Sequence, residues 1–585
     1  MLLNNISVSQ LRNLLVPFMD AAVWPGLADS ESKAIARQYA HESGLWDRLA
    51  KEIDPESAIP VLRYHDYQDY FQTGRRELYE VLFQQRLDRT ERAALALWLD
   101  HPAANLDELQ DLLWSWCESR WSFPAMDPGY IDLVSSRIGR TLAELSWLFR
   151  DRLGPRVQER ICREIEARIL NLALDWRTTD WWTTDGNNWN SVCNSNLIQT
   201  ALYQIRDPWQ LAAFVHPVCR RMDYALHYFT ADGGCPEGVG YWEYGFGHLL
   251  DAALALGLRT GGKVNLAADP HVERICRFPT AVHLRGPLRT TFSDSDNGYL
   301  QAQTALKINR LFAMPELFSL TEATPQGLLR LPDLRTLALY QGQRPQPDAN
   351  RTDVLLPQLG LAKLYAATGS VLAAVAGRND VSHNHNDIGS FIWMVGQRTF
   401  LTDPGAPVYT SKTFGPDRYD ILVCRSRGHS VPLVNGREQA AGHQYYGIIE
   451  AYGLNASGEK KIVIDMTHAY PDPTLQHLGR ELKIDNSGWL ALTDTYRFSE
   501  PPQAVEEAFI TFENVAVQNQ NRCVEIGEAS QAVSLSALTD GQFAVETYPK
   551  EQHEGRDARP LHRITFTPVV LKSQMVVSFR LGTPA

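Results

Sequence analysis

The sequence lacks the cysteine patterns that cross-link small domains or bind zinc through sulfur. Its eight cysteines are scattered, with no CxxC pair and no zinc-knuckle spacing, so we interpret them as mostly buried thiols. The chain also has no low-complexity tract, no exact internal repeat and no apolar run long enough to span a membrane. We therefore expect no membrane partner.

An excess of positive charge is absent as well. The formal net charge is -12, which argues against general nucleic-acid binding and would require a locally basic cleft for any polyanionic substrate. The first residues, MLLNNISVSQLRNLLVPFMDAAVWPGL, contain neither a basic leader nor an unbroken apolar core. We expect a cytoplasmic protein, or a periplasmic one if a signal peptide has been removed. No feature of the sequence indicates an oligomeric state.

The length of 585 residues exceeds what one hydrophobic core usually supports, so we expect at least two domains. The first half repeats an amphipathic helical pattern, as in LDELQDLLWSWCESRW and RVQERICREIEARILNLALDW. This pattern predicts helical hairpins packed side by side. The composition shifts to Pro, Gln and Asn over residues 340–360, which places a domain junction between predicted domains 1–345 and 346–585.

Beyond the junction the apolar residues recur with a period of two. SFIWMVGQRTFLTDPG predicts a hairpin that turns at Gly396, and HSVPLVNGREQ carries a turn signal at Asn435 and Gly436. GWLALTDTYRF and VVLKSQMVVSFRL predict further strands. The second half is therefore predicted to be a β-sandwich or a stack of antiparallel sheets.

The stretch VSHNHNDIGSF concentrates His383, His385 and Asp387 ahead of an apolar run. If the stretch were extended, both histidines would share a face, whereas a turn between them would send them to different sites. Asp403 and His429 follow beside turn residues at strand ends. Two imidazoles and a carboxylate could bind a zinc-like divalent ion. The alternative is that the histidines are hydrogen-bonded structural groups.

A second group of polar residues lies in the helical half. The stretch DGNNWNSVCNSN has more amides than a helix interior accommodates, so some must cap helices or serve a site. DGGCPEGVGYWEYGFGH brings Glu237, Tyr241 and Tyr244 among glycines, which permit close approach by a ligand. A glycine-rich turn between helices explains that stretch equally well. The crowded aromatics of WWTTDGNNWN predict a loop that faces a cleft, where sugar rings could stack.

The motifs GNNWN, DGG..EGVGYWEYG, FSDSDNG, HNHNDIGSF and TDPG resemble those of the heparinase II/III-like family of polysaccharide lyases. They occur in the family's order between about residue 181 and residue 436. The resemblance implies an N-terminal incomplete α/α toroid followed by a C-terminal antiparallel β-sandwich. It also implies β-elimination on a uronic-acid-containing polysaccharide or oligosaccharide, either alginate or a glycosaminoglycan such as heparan, chondroitin or hyaluronan.

The resemblance implies a catalytic role for three residues. Asn188 and His383 would neutralise the uronate carboxylate, and Tyr244 would transfer protons as base and acid. The tyrosine pKa of about 10 would have to be lowered by nearby cationic or donor groups, for which Arg378 and His383 are candidates. Trp189 stands directly after Asn188, where several such lyases have a histidine that serves one uronate epimer.

Further residues are assigned to substrate and metal. The resemblance implies one structural divalent ion, zinc-like, with manganese or calcium as alternatives, held by His385, Asp403 and His429. The predicted substrate-binding residues are Trp189, Glu237, Tyr241, Arg378 and Tyr409.

Two other functions compete with the lyase. A glycoside hydrolase on an α/α toroid would need two carboxylates, for which Asp185 and Glu237 are candidates, but this leaves Tyr244 and HNHND without a role. A non-catalytic carbohydrate-binding protein would keep the groove without the chemistry. Activity measurements on a Tyr244 variant discriminate between them.

Overall fold

The computed structural model describes residues 3, 5–73, 77–124, 126, 129–175, 180–322, 332–348, 351–410, 412–528 and 531–582. The chain forms two compact units. A helical unit comprises Met1–Tyr228, Tyr241–Glu273 and Leu300–Pro347, and a β unit comprises Phe229–Gly240, Arg274–Tyr299 and Asp348–Ala585.

The long β segment begins close to the predicted junction, but two shorter segments differ from the prediction. Residues 229–240 and 274–299, which the sequence placed with the helices, belong to the β unit. Buried hydrogen bonds explain the second of these assignments. Lys363 on a central strand donates to the backbone oxygens of Thr280 at 2.8 Å and His283 at 2.7 Å.

Helices dominate the chain before residue 340. The helices are α1 Val8–Leu15, α2 Ser30–Glu42, α3 Leu45–Glu52, α4 Tyr64–Thr73, α5 Glu77–Trp98, α6 Leu106–Glu118, α7 Leu133–Leu148, α8 Pro155–Ile165, α9 Asn171–Ala173, α10 Asn188–Gln204, α11 Pro208–Tyr228, α12 Val239–Arg259, α13 Pro270–Cys276, α14 Phe278–Val282, α15 Ala302–Phe312, α16 Leu334–Leu339 and, far downstream, α17 Lys550–His553. Among the described residues, none of these helices has the combination of length and apolarity that crossing a bilayer requires.

Local capping fixes where the central helices begin. Asp132 accepts a hydrogen bond from the backbone N–H of Ser135 at 2.7 Å, and the Ser135 hydroxyl accepts one in return, so α7 starts with a capping box. The amide oxygen of Asn187 accepts from the backbone N–H of Trp189 at 3.0 Å and starts α10. One of the clustered asparagines is therefore a cap, as its residue type predicts.

The β unit consists of antiparallel sheets. Its strands are β1 His283–Arg285, β2 Leu288–Arg289, β3 Val354–Leu356, β4 Leu361–Tyr365, β5 Val371–Val375, β6 Gly377–Asn379, β7 Phe391–Val395, β8 Arg398–Leu401, β9 Leu433–Val434, β10 Gly442–Tyr452, β11 Lys460–Asp465, β12 Leu475–Ile484, β13 Leu490–Phe498, β14 Val505–Thr511, β15 Val515–Gln518, β16 Cys523–Ile526, β17 Val533–Ala537, β18 Gly541–Tyr548, β19 Leu561–Pro568 and β20 Gln574–Gly582.

Beside the β1–β2 ribbon, three sheets form the unit. Nine strands pair in the order β15-β16-β17-β20-β13-β12-β11-β10-β6, five in the order β3-β4-β5-β7-β8, and four in the order β18-β19-β14-β9. Along β13 every second side chain, from Leu490 to Phe498, is buried, which is the period of two that the sequence shows.

Both predicted hairpin turns are confirmed. β7 and β8 pair with Val395 opposite Arg398, and Gly396 between them has a φ of 63°. Asn435 and Gly436 have φ angles of 51° and 70° between the bridged residues Val434 and Arg437. Two successive positive φ angles define the primed turn that Asn-Gly favours.

A buried arginine joins the loops of the β unit to its largest sheet. Arg480 on β12 is 1% exposed and pairs with Asp494 on β13 at 2.6 Å. Its second terminal nitrogen donates to the backbone oxygens of Gly389 at 2.8 Å and Ser430 at 2.6 Å. These two residues belong to the loops that carry VSHNHNDIGSF and SRGHSVP.

Gly389 provides a stability test of this loop packing. Its φ is 97°, and a Cβ added there would collide with the sulfur of the buried Met466. We predict that Gly389→Ala destabilises the protein by about 2–4 kcal/mol, because overpacking adds to the cost of positive φ. Thermal and denaturant unfolding would measure the change.

Gly396→Ala is the matched control. Its φ is also positive, at 63°, but nothing lies within 4 Å of the added Cβ, so we expect a loss of about 1 kcal/mol. Equal losses in the two variants would contradict the overpacking argument.

Candidate functional site

In the helical unit, Asn188 and Tyr244 lie on contacting helices. Asn188 is the first residue of α10, and Tyr244 immediately precedes Gly245 on α12. A Cβ added to Gly245 would lie only 3.0 Å from the Cβ of Asn188. The glycine therefore allows the two helices to approach closely at the position where both predicted catalytic residues occur.

Tyr244 lines a cavity of about 250 Å³ within the helical unit, and its side chain is 41% exposed. Loss of solvation among the cavity walls raises the pKa of Tyr244 to about 12, and Arg137 only partly opposes this effect. The lowering of this pKa by Arg378 and His383, which belong to the β unit, stays a prediction. The phenol of the unliganded protein is therefore protonated at neutral pH.

His248 lies beside Tyr244 in the same cavity. Its ring centroid is 5.2 Å from that of Tyr244, and its Nδ1 lies 2.8 Å from the Tyr244 backbone oxygen. Burial lowers the pKa of His248 to about 4, so its imidazole is neutral at pH 7. Nearby charges are paired, as in the 2.6 Å contact between Lys307 and Asp251.

Aromatic residues flank Asn188. The ring of Trp189 lies 5.2 Å from that of Trp181, measured between centroids, and Trp181 is 47% exposed. The WWTTDGNNWN stretch therefore presents exposed aromatic surface, and the cleft that this loop is expected to face stays a prediction. Tyr241, on the same helix as Tyr244, is half-buried.

In the β unit, the two histidines of VSHNHNDIGSF converge on one carboxylate, that of Asp294. His383 Nδ1 lies 2.5 Å from Asp294 Oδ2, and His385 Nε2 lies 2.9 Å from Asp294 Oδ1. Tyr409 donates its hydroxyl to Oδ2 at 2.9 Å, and Arg418 donates to Oδ1 at 2.9 Å. The stretch is a turn rather than a strand, because His383 has a left-handed φ of 58°.

The Asp294 carboxylate is ionised. Burial alone would raise its pKa, but hydrogen bonds from His383 and His385 and the charge of Arg418 overcome burial and hold the pKa of Asp294 well below its usual range. Burial also lowers the pKa of His385 against the attraction of Asp294.

The structure brings His385, Asp403 and His429 together, as the resemblance implies, and adds Asp387. One ligand atom from each of these four residues lies within 4.8 Å of the others, and all four residues are buried. Burial raises the pKa of Asp387, which shares the pocket with the Asp403 carboxylate. Two imidazoles and two carboxylates form a donor set that suits a divalent transition metal.

Second-sphere hydrogen bonds orient these groups. His429 Nε2 lies 3.0 Å from the backbone oxygen of Val423, which leaves Nδ1, at 2.8 Å from Asp403 Oδ2, on the side of the cluster. Ser390 donates its hydroxyl to Asp403 Oδ2 at 3.1 Å. His385 Nδ1 is buried and has no hydrogen-bond partner in the part of the chain that the structure describes, as expected of a nitrogen that binds an ion.

Two predicted substrate-binding residues, Arg378 and Glu237, are respectively paired with a neighbouring carboxylate and buried. The Arg378 side chain is 58% exposed and forms an ion pair of 2.6 Å with Asp380, so its charge is already partly neutralised. Glu237 is only 3% exposed. The other carboxylate of the hydrolase alternative, Asp185, accepts from the backbone N–H of Asn187 at 3.0 Å, as a turn residue does.

The sequence reasoning missed Asp294 as a site residue and left Asp387 out of the metal set. The motif FSDSDNG contributes to the family resemblance, but no role was predicted for its aspartates. The available signal was that motif's turn-forming composition, but a turn does not identify a distant partner, and Asp294 lies 89 positions before His383. For Asp387, the spacing of two residues after His385 was the available signal.

Comparison with known proteins gives one match at the sequence level. Residues 348–577 match the family model described as "Heparinase II/III-like, C-terminal", so the resemblance is confirmed for most of the β unit. No curated protein matches the chain.

Solved structures share the fold of the whole chain. A heparinase III structure has a TM-score of 0.61 at 13% identity, covering 99% of this chain and 92% of its own. The heparan sulfate lyase HepC of Pedobacter heparinus has a TM-score of 0.59 at 12% identity, covering 99% and 88%. The chondroitin AC lyase of Streptomyces coelicolor A3 has a TM-score of 0.52 at 11% identity, covering 99% and 83%. The predicted fold class is confirmed.

Proposed function

We propose that this protein is a polysaccharide lyase that cleaves a uronic-acid-containing polysaccharide or oligosaccharide by β-elimination. The observation that carries the proposal is the close approach of the helices that carry Asn188 and Tyr244, at Gly245. The likeness of the fold to heparan sulfate and chondroitin lyases and the family match of residues 348–577 support it.

The reaction removes the proton at C5 of the uronate and breaks the bond between C4 and its glycosidic oxygen. The electron pair of the C5–H bond forms the C4–C5 double bond, and the departing oxygen takes a proton. Tyr244 acts as the base and then returns its proton to the leaving oxygen. Asn188 donates a hydrogen bond to the uronate carboxylate, and His383 does so when its Nε2 also carries a proton. These hydrogen bonds stabilise the negative charge that develops there.

The substrate class follows from the same chemistry. A uronate must stand at the cleaved position, so heparan, chondroitin, hyaluronan and alginate are the polymers to test. Trp181 and Trp189 would stack against sugar rings. Because the protein carries a net charge of -12, binding of an anionic chain should depend on salt concentration.

Tyr244→Phe tests whether the phenol of Tyr244 transfers the proton. On oligosaccharides of these four polymers, the wild-type protein should produce a conjugated product that absorbs in the ultraviolet. The phenylalanine variant should lower kcat by on the order of 10²–10⁴-fold, because it cannot transfer the proton, while oligosaccharide binding is retained. Tyr452→Phe, at an exposed tyrosine of the β unit, is the control and should keep wild-type activity.

The same assay separates the competing functions. New reducing ends without ultraviolet absorbance would indicate a hydrolase, and binding without either product would indicate a carbohydrate-binding protein. Either result would overturn the proposed lyase.

The second prediction concerns pH. Because the pKa of Tyr244 is raised to about 12, the fraction of phenolate in the free enzyme grows as pH rises from 7 to 9. We expect kcat/KM to rise over that range, approaching about tenfold per pH unit, after subtraction of elimination without enzyme. A flat or falling profile would show that deprotonation of Tyr244 in the free enzyme does not limit catalysis.

We further propose that His385, Asp387, Asp403 and His429 hold one divalent ion with a structural role, zinc-like, with manganese and calcium as alternatives. The buried His385 Nδ1 and the two neighbouring carboxylates fit such an ion, whose positive charge would offset the carboxylates. The quartet would keep the turn of VSHNHNDIGSF beside the loops of Asp403 and His429.

The third prediction follows from this ion. Elemental analysis of purified protein should find about one equivalent of a divalent metal, and chelation should lower Tm, with a stability loss of about 4 kcal/mol if free metal stands at 1,000 times its Kd. His429→Gln should abolish binding, whereas His65→Gln, at an exposed residue of α4, should not. Metal-free wild-type protein with an unchanged Tm after chelation would contradict the site.

A further inference from the structure

Asp294 concentrates an unusual number of hydrogen bonds on one carboxylate. Its side chain is 0% exposed. Each oxygen faces two donors: Oδ2 lies 2.5 Å from His383 Nδ1 and 2.9 Å from the Tyr409 hydroxyl, and Oδ1 lies 2.9 Å from both His385 Nε2 and Arg418. The donors come from four positions along the β unit, so the carboxylate is a junction between loops.

The donor set determines which ring nitrogens carry protons. An ionised carboxylate only accepts hydrogen bonds, and the permanent charge of Arg418 keeps Asp294 in that form. His383 must therefore donate from Nδ1 and His385 from Nε2. His383 consequently presents Nε2 on the side away from Asp294, while His385 presents Nδ1, the nitrogen without a hydrogen-bond partner among the described residues.

The backbone supports this arrangement at two strained residues. Ser293, beside Asp294, has a φ of 62°, and His383 has a φ of 58°. The Ser293 hydroxyl donates to the His383 backbone oxygen at 3.0 Å. Left-handed conformations in non-glycine residues are unfavourable and persist where surrounding contacts demand them. Here they bring the Asp294 loop and the His383 turn together.

We propose that Asp294 is a positioning residue that couples His383 to the metal quartet. It fixes His383 through Nδ1, with Nε2 on the opposite side of the ring, and it fixes His385 through Nε2, with Nδ1 on the side of the quartet. The catalytic half of this inference rests on the proposed lyase function, whereas the placement of the two protons does not. The two hydrogen bonds of Asp294 thus connect His383 to a residue that would hold the ion.

The protonation pattern can be measured without any activity assay. In the full-length protein labelled with ¹⁵N-histidine, NMR should show a proton on Nδ1 of His383 and on Nε2 of His385 at neutral pH. His383→Gln and His385→Gln would assign the signals. A His383 ring whose Nδ1 carries no proton in the folded wild type would overturn the proposal, even if Asp294 variants fail to fold.

Asp294→Asn is the second test of the proposal. The amide replaces one accepting oxygen by a donating NH₂ group, so at least one histidine loses its acceptor. We expect the His383 signals to shift and kcat to fall by about 10–100-fold, with KM changed less than twofold. His429, which is oriented by Val423 and Asp403, should keep its signals.

Asp296→Asn is the control, because Asp296 lies on the same loop but is 41% exposed and pairs with Arg556. It should leave the His383 signals and kcat unchanged. A folded Asp294→Asn protein with wild-type His383 signals and kcat would overturn the proposal. If the wild type has no lyase activity, the proposed function fails, but the NMR result still decides where the two protons lie.

Discussion

The candidate site of the β unit depends on one buried positive charge, that of Arg480. Asp494 neutralises it at 2.6 Å, and Glu507 lies at 3.5 Å. Arg480 also donates to the backbone oxygens of Gly389 and Ser430. Gly389 lies two residues after Asp387, and Ser430 directly follows His429. Breaking a buried ion pair costs about 3–5 kcal/mol. The spacing of those two loops is therefore fixed by the core of the nine-stranded sheet rather than by the loops themselves.

The same requirement for charge compensation explains the contrast between Asp294 and Tyr244. Asp294 is ionised inside the protein because Arg418 and three further donors surround it. Around the phenol of Tyr244, among the described residues, desolvation outweighs the charge of Arg137 and raises its pKa to about 12. The surroundings of Asp294 therefore favour its charged form, whereas those of Tyr244 favour the neutral phenol.

The sequence predicted much of this organisation and missed specific parts of it for physical reasons. Helical and strand periodicity report local burial, and the turn at Asn435 and Gly436 needs positive φ angles that few residues supply, so these features could be predicted from the sequence. The role of Asp294 could not be predicted, because its partners come from remote loops. The ion pair of Arg378 was not predicted either: Asp380, two residues away, pairs with it at 2.6 Å. Local patterns identify residue types, whereas charge compensation is a property of the folded chain.

The hydrogen bonds of Arg480 also bear on the order of folding. Arg480, Asp494 and Glu507 lie on β12, β13 and β14, downstream of the turn at His383 and the loop at His429. During synthesis the loops of His383 and His429 leave the ribosome before the strands that hold them in place. Because such pairings are distant in sequence, they form slowly. The site is thus completed late, after its supporting strands have been made, because a nascent chain that ends before β12 lacks Arg480 and both of its carboxylate partners.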